Sequence, residues 1–169
     1  MWLHRGKISQ IASDMVRALK DSGDIECESP REVQADLEAV LTQYVNDEQE
    51  INDRARDLVA SRGLPNTELG RMRKLVAEQK HVKIGDDAID YLLDQLVEIL
   101  MHSSNVDEVY AEDHVLRVRM REPLRKQFAA EEQIEQEVRG RLKHVQEGTQ
   151  VWEVEYRRMM DDIKRRKGL

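Results

Sequence analysis

Apolar residues recur at helical spacing along most of this chain. In the first segment they stand at i, i+3, i+4, i+7, i+8 and i+11, and they are Ile8, Ile11, Ala12, Met15, Val16 and Leu19. This spacing places them on one face of an α-helix, and Ser22-Gly23 predicts where that helix ends. A chain of such segments favours a fold in which amphipathic helices bury their apolar faces against one another.

A second helix is predicted to begin at Ser29, which stands at the N-cap position before Pro30 and Glu32. The hydroxyl of Ser29 and the carboxylate of Glu32 can each satisfy a free backbone amide in the first turn. The apolar stripe continues to Gly63, which predicts a helix about 50 Å long at 1.5 Å per residue. A third helix is predicted from Asn66-Thr67 to about Gln79.

The same three-helix pattern returns in the second half of the chain. Apolar positions match at an offset of 81 in the first helix, 83 in the second and 87 in the third. Examples are Ile8 with Ile89, Leu19 with Leu100, Leu37 with Met120, and Met72 with Met159. The pattern predicts two related units in tandem, residues 1–81 and 82–169, although amphipathic helices can also match by chance. We expect one elongated bundle of about six helices, in which the two units share a core.

Proline breaks the match between the two units at one position. Pro123 stands where the first unit has Val40, inside the second predicted long helix. Because proline has no N–H to donate, we expect this helix to kink or break near Arg121-Glu122.

Composition agrees with an all-α fold and limits the location of the protein. Eight glycines and three prolines are too few for a sandwich or barrel of many short strands. No apolar run approaches the roughly 18 residues that span a bilayer, so no membrane association is expected. Cys27 is the only cysteine, which excludes an intramolecular disulfide. The N-terminal segment is polar and lacks the pattern of a signal peptide. Together these features predict a cytoplasmic protein.

Several segments resemble a known family. They are Gly6-Lys7-Ile8, Val40-Leu41-Thr42-Gln43-Tyr44, Arg62-Gly63-Leu64, Met101-His102-Ser103-Ser104 and Glu112-Asp113-His114, of which the last two are the most specific. Over nearly its whole length the chain resembles the bacterial family catalogued as domain of unknown function 507. The resemblance implies a bacterial protein and supplies no reaction, cofactor or ligand.

The segment from His102 to His114 holds the densest set of side chains that could bind a metal. His102 lies at the end of one predicted helix, and Glu112, Asp113 and His114 begin the next. Imidazole and carboxylate groups suit a divalent metal site or an acid/base pair, so these four are weak candidates. The favoured interpretation is structural, with Glu112 and Asp113 capping a helix and His102 bonding to a terminal carbonyl or a carboxylate.

Motifs of the common enzyme classes are missing from the sequence. It contains no GxxxxGK[ST] phosphate loop, no GxGxxG turn and no GxSxG elbow. One Glu-x-x-His turn, Glu78 to His81, cannot build a carboxylate-bridged di-iron site, which needs two. We therefore expect a protein that is not an enzyme and that needs no cofactor.

Charge is distributed unevenly along the chain, which has a net charge of −7. Residues 21–60 carry a net charge of −9, whereas residues 115–127 carry +4. The basic side chains of the second segment are Arg117, Arg119, Arg121, Arg125 and Lys126. Three of them, Arg117, Arg121 and Arg125, share one helix face at i, i+4 and i+8.

Three interpretations of this basic face are open. It can be a solvated face with local ion pairs, a surface for an acidic protein or for the acidic half of a second copy, or a binding site for nucleic acid. The basic tail at residues 164–167 favours the last, but the net charge and the absence of interleaved aromatic residues argue against stacking on bases. We predict an adaptor or assembly factor that contacts a protein partner through this face, with Trp152 as an interface aromatic.

Overall fold

The computed structural model of the chain describes residues 2–168. Its α-helices are α1 (Ile8–Asp21), α2 (Pro30–Ser61), α3 (Leu69–Lys80), α4 (Ala88–His102), α5 (Asp113–Arg141) and α6 (Gln150–Arg166). Two short strands, β1 (Ile25–Glu26) and β2 (Glu108–Val109), form an antiparallel ribbon. The prediction of an all-α fold is confirmed at this level.

The predicted helix ends agree closely with the structure. Helix α1 ends just before Gly23, which has a positive φ of 70° that glycine adopts without steric cost. Helix α2 begins at Pro30 with Ser29 at the N-cap, but the Ser29 side chain makes no capping hydrogen bond. The position of the cap was therefore predicted correctly, and its hydrogen bond was not.

Four helices enclose the main apolar cluster. Helices α1 and α4 each pack against both α2 and α5. The side chains buried between them include Met15, Leu19, Leu37, Leu41, Leu92, Leu96, Leu100, Leu116, Met120 and Leu124. From the two long helices the cluster takes residues 33–51 of α2 and residues 116–124 of α5, and α3 adds Val76 and Ala77.

The remaining parts of α2 and α5 leave the bundle and pair with the other two helices. Residues 48–61 of α2 pack against α3, and we call this pair the first arm. Residues 131–141 of α5 pack against α6, and we call this pair the second arm. Each arm has its own small apolar cluster, formed by Ala55, Val59 and Met72 in the first and by Ile134, Val138, Leu142, Met160 and Ile163 in the second.

Helix α5 runs through Pro123 without interruption. A break near Arg121-Glu122 is therefore absent from the described chain. The neighbouring side chains of Met120 and Leu124 are completely buried in the main cluster. Burying two large apolar side chains stabilises the folded state by several kcal/mol, which offsets a cost of about 3 kcal/mol for proline in a helix.

The ribbon of β1 and β2 was not predicted. Ile25 pairs with Val109 and Glu26 with Glu108, and backbone hydrogen bonds continue on either side of these pairs. Strands of two residues are too short to show an alternating pattern in the sequence. The ribbon joins the segments that precede α2 and α5, so it fixes the starting points of the two long helices.

None of the described helices is long and apolar enough to cross a lipid bilayer.

Candidate functional site

Three arginines of the predicted basic face are paired with acidic neighbours. Arg117 forms an ion pair with Asp94 of α4, and Arg121 Nη2 lies 3.0 Å from Oδ1 of Asp90, which is also on α4. The Arg119 Nε donates to Asp24 Oδ2 at 2.9 Å. These pairs join α5 to α4 and to the segment before β1, so part of the basic face serves the fold itself.

The end of the face beyond Arg121 is free. Arg125 and Lys126 are exposed and make no ion pair within residues 2–168. About two turns earlier on α5, Val118 has 65% of its surface exposed, which is high for a branched apolar side chain. A shallow groove of about 380 Å³ follows this side of α5, and its lining residues are His114, Arg117, Val118, Arg121, Glu122 and Arg125. We call this groove and Lys126 the α5 face.

The four candidate metal ligands do not form a site. His102 Nδ1 lies 3.0 Å from the backbone oxygen of Glu98, one turn earlier in α4. His114 Nδ1 lies 3.3 Å from a carboxylate oxygen of Glu112, and both side chains are well exposed. Within residues 2–168, no three His, Cys, Asp or Glu side chains come close enough to hold a metal ion. Glu112 occupies the N-cap of α5 without a side-chain capping bond, so only its predicted position is confirmed.

The loop between these histidines ties α4 to α2. The Ser103 hydroxyl donates to Asp36, and Asn105 Nδ2 donates to the same Asp36 oxygen at 3.0 Å. Asn105 is also held by a bond from its backbone N–H to the Ser103 hydroxyl. The family-like segment around His102 therefore has a structural role in the described chain.

Two glutamates are buried at the points where the arms leave the bundle. Glu48 and Glu131 are 3% and 4% exposed, and they occupy matching positions in α2 and α5 at the offset of 83. Sequence reasoning did not single them out as site residues. The available signal was a carboxylate standing at an apolar position of the stripe in both long helices.

Their surroundings differ. The Glu131 carboxylate lies 2.9 Å from His4 Nε2 and 3.0 Å from Lys164 Nζ on α6. Burial alone would raise the pKa of Glu131, but the bonds from His4 and Lys164 outweigh it and lower that pKa below its ordinary value. The pKa of Glu48 is raised by burial, because Arg73, 3.8 Å away on α3, offsets only part of the desolvation.

A cleft of about 810 Å³ separates the two arms. One wall is formed by α2 and α3 of the first arm, and the other by α5 and α6 of the second. At the bundle end lie Glu131 and Lys164. At the far end, Asn66 Nδ2 donates to Glu153 Oε2 at 3.2 Å and links the arms.

Trp152 lines this cleft. Its ring stacks on that of Tyr156, with centroids 4.8 Å apart and planes inclined by 21°. Burial, with the nearby Glu135 carboxylate, raises the pKa of Tyr156 to about 12. Trp152 was predicted to share a surface with the arginines of α5, but the two sets line different depressions of the molecule.

Comparison with protein families finds one family that matches the whole length of the chain. Residues 1–169 match the family described as Protein of unknown function (DUF507). The chain belongs to this family. The resemblance found in the His102 and Glu112 segments is thereby confirmed. A search of curated proteins gives no match.

Proposed function

We propose that this family member is an adaptor or assembly factor that binds an acidic protein partner through the α5 face. The observation that carries the proposal is Val118, a largely exposed aliphatic side chain in a groove lined by Arg117, Arg121 and Arg125. Interfaces between proteins combine an apolar centre with arginine, whose planar guanidinium binds carboxylates through two parallel hydrogen bonds.

The contacts of the arginines favour a protein over a nucleic acid as the partner. Arg117 and Arg121 already have carboxylate partners, which reduces the positive charge available to phosphates. The groove is lined by no Phe, Tyr or Trp side chain, the usual platforms for base stacking, and the chain carries a net charge of −7. Arg125 and Lys126 leave enough positive charge to orient an acidic protein surface.

We also propose that the protein acts in the bacterial cytoplasm. The single cysteine, Cys27, is free and buried, which fits a reducing compartment. A bacterial source is implied by the resemblance to the family.

We further propose that two related three-helix units in tandem form the chain. The strand pairing supports this, because Ile25 pairs with Val109 and Glu26 with Glu108, a register that is symmetric under the offset of 83. Core positions support it as well, since matched residues are buried in both units; examples are Val33 with Leu116, Leu37 with Met120, Leu41 with Leu124, Ile51 with Ile134 and Ala55 with Val138.

The α5 face is tested by comparing captured proteins between matched variants. Val118→Asp removes the apolar centre, and Val154→Asp is its control, a valine of similar exposure on α6. The double variant Arg125→Glu/Lys126→Glu reverses the free charges, with Lys20→Glu/Arg31→Glu as its control. Arg117 and Arg121 are left unchanged, because glutamate there would face Asp94 and Asp90 and destabilise the fold.

Each variant is used as bait in nuclease-treated bacterial lysate, and captured proteins are quantified by mass spectrometry after crosslinking. We expect the original chain and both controls to capture a common set of acidic proteins. Both α5 variants should capture these proteins in amounts lower by about tenfold or more. Identical capture by all five baits would contradict the proposal. Loss of all partners on nuclease treatment would instead indicate nucleic-acid binding.

A further inference from the structure

We propose that the groove between α2 and α4 binds an amphipathic helix of a partner protein, with a basic side chain of that helix at the Asp36 end. The groove has a volume of about 280 Å³ and shares no residue with the α5 face. This volume lies below the roughly 300–1,000 Å³ of sites for small ligands, so the groove suits a row of side chains better than a whole ligand. Its apolar lining consists of Ala39, Val40, Tyr44, Tyr91, Leu92 and Ile99.

The groove runs between two antiparallel helices. Asp36 of α2 accepts a hydrogen bond from Ser103, just after the end of α4, whereas Tyr44 lies against Tyr91 near the start of α4, with ring centroids 6.1 Å apart. From Asp36 to Asp47 the lining follows α2 for eleven residues, which corresponds to about 16 Å. A partner helix of about three turns spans this length, and such helices bind grooves through apolar side chains at i, i+4 and i+7.

The apolar surface of this groove is not a requirement of the fold. Tyr44 and Leu92 are buried, but Val40, Tyr91 and Ile99 are only partly buried. Helices α1 and α5 form the matching pair at the offsets of 81 and 83, and they carry polar or smaller residues there, namely Gln10 for Tyr91, Ala18 for Ile99 and Gln127 for Tyr44. The matching pair packs without this apolar surface, so its presence between α2 and α4 indicates binding.

Charge distinguishes the two ends of the groove. Among the described residues, its lining has two carboxylates, Asp36 and Asp47, and no lysine, arginine or histidine. Asp47 is paired with Lys80, whose Nζ lies 3.4 Å away. Asp36 accepts hydrogen bonds only from neutral side chains, those of Ser103 and Asn105. The carboxylate without a cationic partner therefore lies beside the C-terminal end of α4, where the helix dipole also favours a positive charge. Both features favour a lysine or arginine of the partner at this end.

Binding is tested with two fluorescently labelled peptides of about 14 residues, which form about 20 Å of helix. Both carry leucine at i, i+4, i+7 and i+11 among alanine and glutamine. They differ at one position beside the last leucine, where one peptide has arginine and the other glutamate. We expect the arginine peptide to bind saturably, with one peptide per chain. The glutamate peptide should bind about three- to fivefold more weakly, because only arginine gains an ion pair with Asp36.

Two variants locate the binding in the groove. Tyr91→Gln introduces the residue type of the matching position in α1 and should weaken both peptides by about tenfold, because it removes an aromatic wall. Gln95→Lys adds a cation to the rim and should weaken the arginine peptide more than the glutamate peptide. Its matched control is Gln133→Lys, which changes the net charge equally at an exposed position of α5 outside the groove.

Three results would overturn the proposal. The first is a lack of saturable binding of the arginine peptide below about 1 mM, and the second is an equal loss of affinity in Gln95→Lys and Gln133→Lys. The second remains informative even where Tyr91→Gln fails to fold, because Gln95 is exposed. The third comes from sedimentation of the chain without peptide. Dimerisation that Gln95→Lys abolishes and Gln133→Lys retains would assign the groove to a second copy.

Discussion

The two long helices each bury a glutamate where an arm begins, and the two carboxylates are satisfied in different ways. Glu131 is bonded by His4, from the N-terminal segment, and by Lys164, from α6. Glu48 has Arg73 at the longer distance of 3.8 Å. One oxygen of each carboxylate, Glu48 Oε2 and Glu131 Oε1, has no hydrogen-bond partner within the described chain. Equivalent positions in related helices therefore do not guarantee equivalent electrostatics.

The difference shows how each arm is attached to the bundle. In the second arm, a buried ion pair joins α6 directly to α5 at Glu131. In the first arm, α3 also makes contacts nearer the surface, where Lys80 pairs with Asp47 and Glu50. The Tyr44 hydroxyl also donates to the backbone oxygen of Lys83 at 3.2 Å, just after α3. The second arm is therefore tied to the bundle by the charged contacts of Glu131, whereas the first arm is tied by Val76 and Ala77 of α3, which lie in the main cluster, together with partly exposed polar contacts.

The largest expected effect comes from the matched isoleucines Ile51 and Ile134. Ile51 belongs to the main cluster, whereas Ile134 belongs to the small cluster of the second arm. We expect Ile51→Ala to lower the free energy of unfolding by about 3–4 kcal/mol and Ile134→Ala by about 2–3 kcal/mol. The smaller cluster has fewer surrounding side chains and can relax into the space that is left.

Urea unfolding followed by circular dichroism measures both values, with Val154→Ala as an exposed control that should change stability by less than about 0.5 kcal/mol. A larger loss at Ile134 than at Ile51 would show that the second arm carries more of the stability than its cluster suggests.

Much of the fold could be predicted because helix periodicity reports burial directly. Every position of the first apolar stripe, from Ile8 to Leu19, is buried, and α1 ends where Ser22-Gly23 indicated. The ribbon of β1 and β2 was missed, because pairing between residues more than 80 apart leaves no local pattern. The absence of a break at Pro123 also depends on tertiary packing, which no local rule contains.

The candidate sites were harder to predict than the helices. Charge patterning located the α5 face, but it could not show that Asp90 and Asp94 of α4 neutralise two of its arginines. The cleft depends on how two arms diverge, so its walls come from four helices that are distant in sequence. The sequence indicated Trp152 as an interface aromatic, but it did not indicate the cleft that Trp152 lines, because the packing of the helices decides what a side chain faces.

Replacing the buried glutamates one at a time sharpens the comparison between the arms. Glu131→Gln leaves Lys164 and His4 with a neutral partner, and we expect it to lower the free energy of unfolding by about 2–3 kcal/mol. Glu48→Gln removes a carboxylate whose charged form is penalised by burial, so the loss should stay below about 1 kcal/mol. Urea unfolding near neutral pH measures both, and equal losses would contradict the difference between the two sites.

The same variants should differ in their response to pH. Because the pKa of Glu131 is lowered from 4.5, its contribution to stability is present above that pH and is lost as the pH falls toward the folded-state value. Glu48 acts in the opposite sense. Its raised pKa means that the folded state gains stability as the pH falls through the folded-state value toward 4.5.

Unfolding midpoints measured from about pH 3 to about pH 8 should therefore show a shallower acid loss in Glu131→Gln and a steeper decline below neutral pH in Glu48→Gln. Parallel curves for the original chain and both variants would show that neither carboxylate titrates differently on folding.

The smallest expected effect concerns the N-caps of α2, which begins in the bundle, and of α6, which belongs to the second arm. Thr149 accepts a hydrogen bond from the backbone N–H of Trp152 at 3.2 Å, whereas Ser29 makes no such bond. Thr149→Ala should therefore cost about 1 kcal/mol, and Ser29→Ala no more than a few tenths. Because the cap of α6 holds the turn that carries Trp152, the loss should be local. Hydrogen exchange should accelerate at the first amides of α6 and remain unchanged in the bundle, whereas equal acceleration in α2 after Ser29→Ala would show that Ser29 caps its helix in solution.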